Sequence, residues 1–353
     1  MIPTTAPFLL VVGACALDRL VGDPRWCLHP VVVMGWWISR LRRLAERHAQ
    51  RSPWKLRWAG VLITLLLVGG SALVGWGLER LALSAAQRVT SAVADPLALL
   101  WAVLMCLALG IALASALAGR SLEQAVLAVL QALALGDLPL ARQRLAWIVG
   151  RDTANLDASE VLRAAAETAS ENAVDGLFAP LFWMLVGAGL WSTGALSAPG
   201  PLAMAWGFKA ASTLDSMLGY RRGTLRWLGT AGARLDDLLV WLPCRLVLVS
   251  LPVVACVGPR QAWRQIRAAR RDGAADPSPN AGRSQAAYAQ VVGVQMGGAN
   301  RYGSDVRHKP LLAAGAPPVS TGAVEAILQL TVRLERLWLL LVAIATGGLG
   351  WVQ

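Results

Sequence analysis

Between positions 150 and 180 the chain reads Gly-Arg-Asp-Thr-Ala-Asn-Leu-Asp-Ala-Ser-Glu-Val-Leu-Arg-Ala-Ala-Ala-Glu-Thr-Ala-Ser-Glu-Asn-Ala-Val-Asp-Gly-Leu-Phe-Ala-Pro, a concentration of acidic side chains in a basic, apolar protein. Asp157 followed three residues later by Glu160 has the spacing of a helix start, with the Asp side chain accepting from a backbone N–H of the first turn. If the helix runs on, Glu160, Arg163, Glu167 and Glu171 recur at steps of three and four and share one face. Asp175 falls one turn further, directly before Gly176, which predicts a helix stop. Ahead of the stripe, Gly150-Arg151-Asp152-Thr153 forms a compact loop offering a guanidinium, a carboxylate and a hydroxyl. One reading of the stripe is a solvated face with internal Glu–Arg pairs. The other is functional, because carboxylates beside a bilayer serve an ion, a metal or a polar ligand. The stripe leads without a break into an apolar run, 177–190, which favours the functional reading.

The elements that must position these groups belong to a membrane protein. In 353 residues, 56% are hydrophobic and only 15% charged, against about 25% charged in an average globular domain. Mean hydropathy is +0.51. The net charge of +12 lacks interleaved aromatics, so no nucleic acid is expected as a partner. The basic residues sit between apolar segments, as cytoplasmic loops do beside anionic lipid. Cys15, Cys27, Cys106, Cys244 and Cys256 are scattered, as are His29, His48 and His308, and indicate neither a disulfide framework nor a zinc site. The apolar run 6–17 lacks a charged leader and a cleavage site, so it is expected to be retained.

Taken along the chain, the run Asp18-Arg19-Leu20-Val21-Gly22-Asp23-Pro24-Arg25-Trp26 followed by His29-Pro30-Val31 is either a capped interfacial turn anchored by Trp26 or a functional loop. Segment 31–38 is too short to span and predicts an interfacial or buried helix. Residues 40–57 are strongly basic and predict a cytoplasmic segment. Segments 59–78 and 97–118 have spanning length, with an external connection at 79–96. Between 120 and 175 the sequence predicts cytoplasmic helices near 121–135 and 139–149, leading into the acidic stripe. Polar groups at Lys209, Ser212, Asp215 and Ser216 make 177–218 a hairpin, re-entrant or packed within protein. Segment 238–257 is spanning length despite Pro243, Arg245 and Pro252, and Arg234-Leu235-Asp236-Asp237 stands at its mouth. An Arg-rich helix is expected near 260–271 and a short last span at 337–352. The expected fold class is all-α: a polytopic integral membrane protein with about four to six membrane segments and cytoplasmic helical loops. It is expected to form a single membrane-embedded domain over 1–353, in which 119–175 and 258–335 are mainly cytoplasmic polar regions. Two polar loops are expected, Asp276-Pro277-Ser278-Pro279-Asn280-Ala281-Gly282-Arg283 and Gly297-Gly298-Ala299-Asn300-Arg301-Tyr302-Gly303. Either offers backbone N–H groups to a phosphate, though neither matches a known phosphate-loop signature, and an ordinary surface turn reads as well.

Six of these runs, in order, resemble the CobD/CbiB family, the adenosylcobinamide-phosphate synthases (cobinamide synthases) of cobalamin biosynthesis. They are the 18–25 run with His29-Pro30-Val31; Gly150-Arg151-Asp152-Thr153; Glu167 to Gly176 with Ala179-Pro180-Leu181-Phe182; Lys209 with Thr213 to Tyr220; Arg234 to Asp237; and Ser278 to Gly282. The chain departs from the family pattern at Ala173, where Thr is usual, at Ser212, often Asn, and at Arg283, where an aromatic is common.

The resemblance implies an inner-membrane ligase, active site facing the cytoplasm. It would join adenosylcobyric acid to (R)-1-amino-2-propanol or its phosphate through an amide bond, with ATP and Mg2+. Its implied catalytic residues are Arg151, Asp152, Glu167, Glu171, Asn172, Asp175, Lys209 and Asp215. Glu167, Glu171 and Asp175 would hold the metal, and Asp236, Asp237, Ser278, Asn280 and Gly282 the cofactor. For Asp236 and Asp237, helix capping stands as an alternative. The implied partners are the two substrates, membrane lipid and other late cobalamin-biosynthesis enzymes. Two other classes compete: a transporter, against which the chain shows no internal repeat, and a non-catalytic membrane regulator, which would have no need of the carboxylates.

Overall fold

The structure is a computed structural model that describes residues 5–23, 29–91, 95–302 and 305–349. Pro24, Arg25, Trp26, Gly303 and the end of the expected last span at 350–352 lie outside the described residues. In chain order the described elements are α1 (Ala6–Val21), α2 (Pro30–Ala49), α3 (Pro53–Ser91), α4 (Pro96–Ala114), α5 (Gly119–Ala134), α6 (Leu138–Ala146) and α7 (Ala158–Ala173). After a π-helical turn (Val174–Phe178) come α8 (Ala179–Ser192), α9 (Pro201–Leu218), α10 (Leu225–Leu228), α11 (Thr230–Val254), α12 (Pro259–Asp272) and α13 (Ala281–Val292). An antiparallel hairpin, β1 (Met296–Tyr302) with β2 (Asp305–Leu312), and α14 (Thr321–Leu349) complete them.

Among the described residues four helical runs are long and apolar enough to cross a membrane: Pro53–Val89, Pro96–Ala114, Ala158–Ser192 and Thr230–Val254. The protein is thus mostly helical and multi-pass by length and composition. Pro243 and Pro252 both lie inside α11 without ending it.

Several boundaries differ from expectation. α2 runs on to Ala49, well past the short helix expected at 31–38, because the Arg-rich segment continues the helical period. α3 runs to Ser91, so most of the expected 79–96 connection is helix. Gly176 does not stop the acidic helix. The backbone passes through it in the π-helical turn, whose flanks Val174, Leu177 and Phe178 are buried, so tertiary packing overrides the local stop signal. The Gly-rich run beginning at Gly297 is a strand rather than a loop.

The chain divides into two compact units, Met1–Ala118 with Ala179–Leu239 and Val342–Gln353, and Gly119–Phe178 with Val240–Leu341. In unit 1, α9 packs against α2, α3, α4 and α8, burying Leu202, Trp206, Phe208, Leu214 and Leu218. Its buried N-terminus is capped from α3: the fully buried Glu79 carboxylate accepts from the backbone N–H of Gly200 (3.0 Å), Leu202 (2.6 Å) and Ala203 (3.2 Å). Those N–H groups have no partner within α9, and the anion also meets the positive end of the helix.

Unit 2 is built on α7, which packs against α5, α6, α13 and β1. Its start is the expected capping box: Asp157 accepts from Glu160 N at 2.8 Å, and Glu160 accepts from Asp157 N at 3.0 Å. The Glu160 N–H holds the Asp157 carboxyl below its ordinary range. Val161, Ala164, Ala165, Ala169 and Ala173 are buried and small, which lets neighbouring backbones approach closely. In the hairpin, Met296 pairs with Leu312 but Gly298 with Lys309, so one residue of β1 spans two of β2. Gly297 sits at that irregularity with φ +85°, and a Cβ there would lie 2.0 Å from the Pro310 carbonyl oxygen. Pro310, lacking an N–H, sits opposite where the ladder is already broken.

Candidate active site

The bulge at Gly297 turns its N–H toward α7, where it donates to Glu167 at 2.9 Å. The same carboxylate accepts from Arg163 at 3.0 Å and from Arg151, the latter two being ion pairs. Glu167 is only 2% exposed, so at this position the stripe is not a solvated face. It is a buried ion-pair knot, and its charge is matched by two guanidinium groups as burial demands. Arg163 also donates to the carbonyls of Gly297 (2.8 Å) and Ala299 (2.9 Å) and to Asn300 Oδ1 (3.1 Å), and Arg151 donates to the same Asn300 oxygen. Helix, loop and hairpin are tied at one point.

Beside this knot lies a polar cavity of about 250 Å3, lined by residues 148–151, Glu167, Thr168, Glu171, Asn172, Gln285, Asn300 and Lys309. Glu171, one turn on from Glu167, accepts from the Gln285 side chain at 2.6 Å. Lys309 lies 3.5 Å from Asp276, and both are within electrostatic range of Glu171. The cavity therefore gathers two cations, Arg151 from the loop before α7 and Lys309 from β2, with the carboxylates of Glu167 and Glu171 on α7 and the neutral Gln285 of α13, all within one unit. A larger cavity of about 580 Å3 in unit 1 is lined mainly by apolar groups such as Val33, Met34, Trp37 and Leu66, with Ser71 among them and no charged side chain.

The other expected site residues of unit 2 have defined positions. Asp152 accepts from Ala154 N at 2.9 Å and shapes the loop that presents Arg151. Asp175 lies in the π-helical turn. Ser278 Oγ accepts from Asn280 N (3.3 Å) and Ala281 N (3.2 Å), and Arg245 donates to both Asn280 Oδ1 and the Pro279 carbonyl. Asn280 is 5% exposed and begins α13. Gly282 has a steric part: a Cβ there would lie 2.3 Å from Asp276 Cβ. Among the described residues no group of three or more His, Cys, Asp or Glu side chains is arranged to hold a metal ion.

Lys209, Asp215, Asp236 and Asp237 belong to unit 1. Asp215 and Lys209 are both within electrostatic range of Asp236, whose Oδ1 is buried with no hydrogen-bond partner among the described residues. In the N-terminal motif, His29 caps α2 by accepting from Val31 N at 3.3 Å, and its other ring nitrogen faces Asp23 at 3.2 Å. The turn between Asp23 and His29, with Trp26, lies outside the described residues, so the choice between an interfacial turn and a functional loop stays open. Gln285 and Lys309 carry no signal in the sequence. For Asn300, the Gly-Gly-Ala-Asn run was a weak one.

A helical, multi-pass membrane protein with a charged polar cavity built around one acidic helix is the class these features define. The chain belongs to the CobD/CbiB family of cobalamin biosynthesis proteins: the family model described as CobD/Cbib protein matches residues 11–331. It is 39% identical over 345 residues to the cobalamin biosynthesis protein CobD of Synechocystis sp., covering 97% of this chain and 93% of that one. It is 39% identical over 341 residues to CobD of Geobacter metallireducens, covering 96% of each. With the cobalamin biosynthesis protein CbiB of Salmonella typhimurium it shares 35% over 339 residues, 96% of this chain and 97% of that one. No solved structure matches the chain.

Proposed function

We propose that the protein is the amide-forming ligase of the pathway, joining adenosylcobyric acid to aminopropanol or its phosphate at the expense of ATP, at the cytoplasmic face of the inner membrane. The observation that carries this reading is the polar cavity of unit 2, where Arg151, Glu171, Asn172 and Lys309 line one space. Forming an amide from a carboxylate requires activation. The corrinoid carboxylate oxygen attacks the γ-phosphorus of ATP, ADP leaves, and the amine then displaces phosphate from the acyl phosphate. Catalysis of such a transfer consists mostly of positioning and charge neutralisation.

In this reading Arg151 contacts phosphate oxygens. Glu167, whose oxygens are taken by two guanidinium groups and a backbone N–H, orients Arg151. Gln285 holds the Glu171 carboxylate in place. Asn172 lines the cavity and Asp152 sets the Arg151 loop, while Ser278, Asn280 and Gly282 shape the start of α13. Mg2+ suits the remaining donors in part, since it is commonly held by one or two carboxylates together with substrate phosphates rather than by a protein cage. Glu171 and Asp175 are its proposed ligands, and it would supply charge neutralisation at the transferred phosphoryl group. A cavity of about 250 Å3 lies below the range of roughly 300–1,000 Å3 that encloses drug-sized ligands, so it suits a phosphoryl group or the small amine and excludes the corrin ring. Lys209, Asp215, Asp236 and Asp237 are assigned to the reaction on motif order alone.

Purified protein in detergent, given adenosylcobyric acid, either amine, ATP and Mg2+, is expected to form a cobinamide product that requires ATP. Glu171→Gln is expected to abolish it while leaving the fold intact. Folded wild-type protein that makes no product with either amine overturns the reading, and so does full activity in Glu171→Gln.

A further inference from the structure

Unit 1 contains a second polar cavity, of about 350 Å3, whose lining shares only Asp237 with the residues assigned above to the reaction. Its charged lining is Arg57 of α3, Arg221 after α9, Arg226 of α10, and Arg234 and Asp237 near the start of α11, with Trp227 among them. Four guanidinium groups face a single carboxylate. Trp227 organises two of them: Arg57 and Arg226 lie over its ring at 4.5 Å and 4.9 Å from the centroid, the geometry of a cation–π contact.

The backbone beneath is fixed. A Cβ on Gly60 would lie 2.1 Å from the Leu228 carbonyl oxygen, and one on Gly229 would lie 1.9 Å from that of Leu218. α10 therefore rests directly on α3, and the backbone that carries Arg226 is fixed there. All four arginines are nevertheless exposed, so they are open to a ligand. Gathering like charges on a rigid support costs Coulomb energy, which an anion in their midst relieves.

The cavity also lies at a particular depth. Arg57 and Thr230, both in its lining, are near the N-terminal ends of α3 and α11, two of the helices able to cross a membrane. Trp54 and Trp58 are exposed on the same first turns of α3, and exposed tryptophans at such ends mark the polar boundary of a bilayer.

We infer that this cavity binds a phosphate ester. Guanidinium forks match phosphate oxygens two at a time. Two sources present that group at a membrane boundary, the headgroup of an anionic phospholipid and a soluble phosphorylated ligand. The inference does not depend on the ligase reading, and its test needs no turnover.

The full-length protein is passed through bilayer discs of mixed phosphatidylglycerol and phosphatidylcholine, and the lipid it retains is counted by native mass spectrometry. In parallel, inorganic pyrophosphate is titrated against thermal unfolding in lipid-free detergent. Wild-type protein is expected to keep phosphatidylglycerol in preference to phosphatidylcholine, which assigns the lipid source, or to be stabilised by pyrophosphate alone, which assigns the soluble one. For whichever probe binds, Arg221→Gln/Arg226→Gln is expected to weaken binding about tenfold or more. Arg51→Gln, a basic residue outside the lining, is expected to leave it unchanged. If the double variant folds poorly, Arg234→Gln alone gives the same comparison. Failure of both probes to bind wild-type protein, unchanged binding in the cavity variants, or equal loss in Arg51→Gln overturns the inference.

Discussion

At the scale of single residues, Glu167 and Glu171 show how two like side chains one helical turn apart take different parts. Glu167 accepts from Arg151, Arg163 and Gly297 N, whereas Glu171 meets the neutral amide of Gln285. Glu167→Gln would leave two guanidinium groups without their anion and set an amide N–H against donors. A loss of about 3–5 kcal/mol is expected from breaking one side of a buried ion pair, read as a large drop in thermal stability in detergent. Glu171→Gln, isosteric and already facing an amide, is expected to unfold near the wild-type temperature. A Glu167→Gln protein as stable as wild type but inactive would instead put Glu167 in contact with substrate. The spacing of the stripe, with Asp157 and Glu160 as its cap, was legible because helical period and capping are local rules. The partners were not. Gln285 is a neutral residue in an Ala-rich helix, 114 positions from Glu171, and nothing local distinguishes it.

At the scale of elements, the hairpin is the main departure from the sequence reading. Gly297-Gly298-Ala299-Asn300 has poor strand propensity, and its strand is specified by pairing with 305–312 and by Arg163 donating to its carbonyls. Gly297→Ala is expected to be costly on two counts, the φ of +85° and the 2.0 Å approach to Pro310 O, each worth on the order of 1–3 kcal/mol. Because the Gly297 N–H is a ligand of Glu167, the substitution should lower thermal stability and also loosen Arg151. A Gly297→Ala protein with unchanged melting and unchanged activity would show that the bulge is dispensable. The π-helical turn escaped the sequence for a similar reason. Gly176 signals a stop, yet Leu177 and Phe178 are 1% and 0% exposed, and their packing keeps the helix going. By contrast α5, α6 and α12 begin and end close to where periodicity and caps place them, since their boundaries are set by Pro, Gly and Asp at the ends.

At the scale of the whole molecule, the described residues contain four candidate spans, at the low end of the four to six that apolar length led one to expect. The polar regions expected at 119–175 and 258–335 fall within a single compact unit, a grouping that hydropathy does not reveal because the two are separated by more than eighty positions of chain. One feature of unit 1 bears on how the protein is made. Glu79 is joined to Gly200, Leu202 and Ala203 across 121 to 124 positions, so the ribosome delivers α3 long before the three N–H groups its carboxylate is to meet. For that interval the nascent chain carries an acidic side chain in an apolar helix with its donors still unsynthesised. The sign of a substitution should therefore reverse with chain length. In fragments ending before residue 200, Glu79→Gln is expected to integrate into the membrane more readily and to outlive the wild-type fragment in a pulse-chase. In the finished protein the same change, which trades a carboxylate for an amide at a buried helix start, is expected to shorten the lifetime. Early membrane insertion would thus be handicapped by the same residue that secures the completed fold, and the chain would be committed only once translation has passed α9.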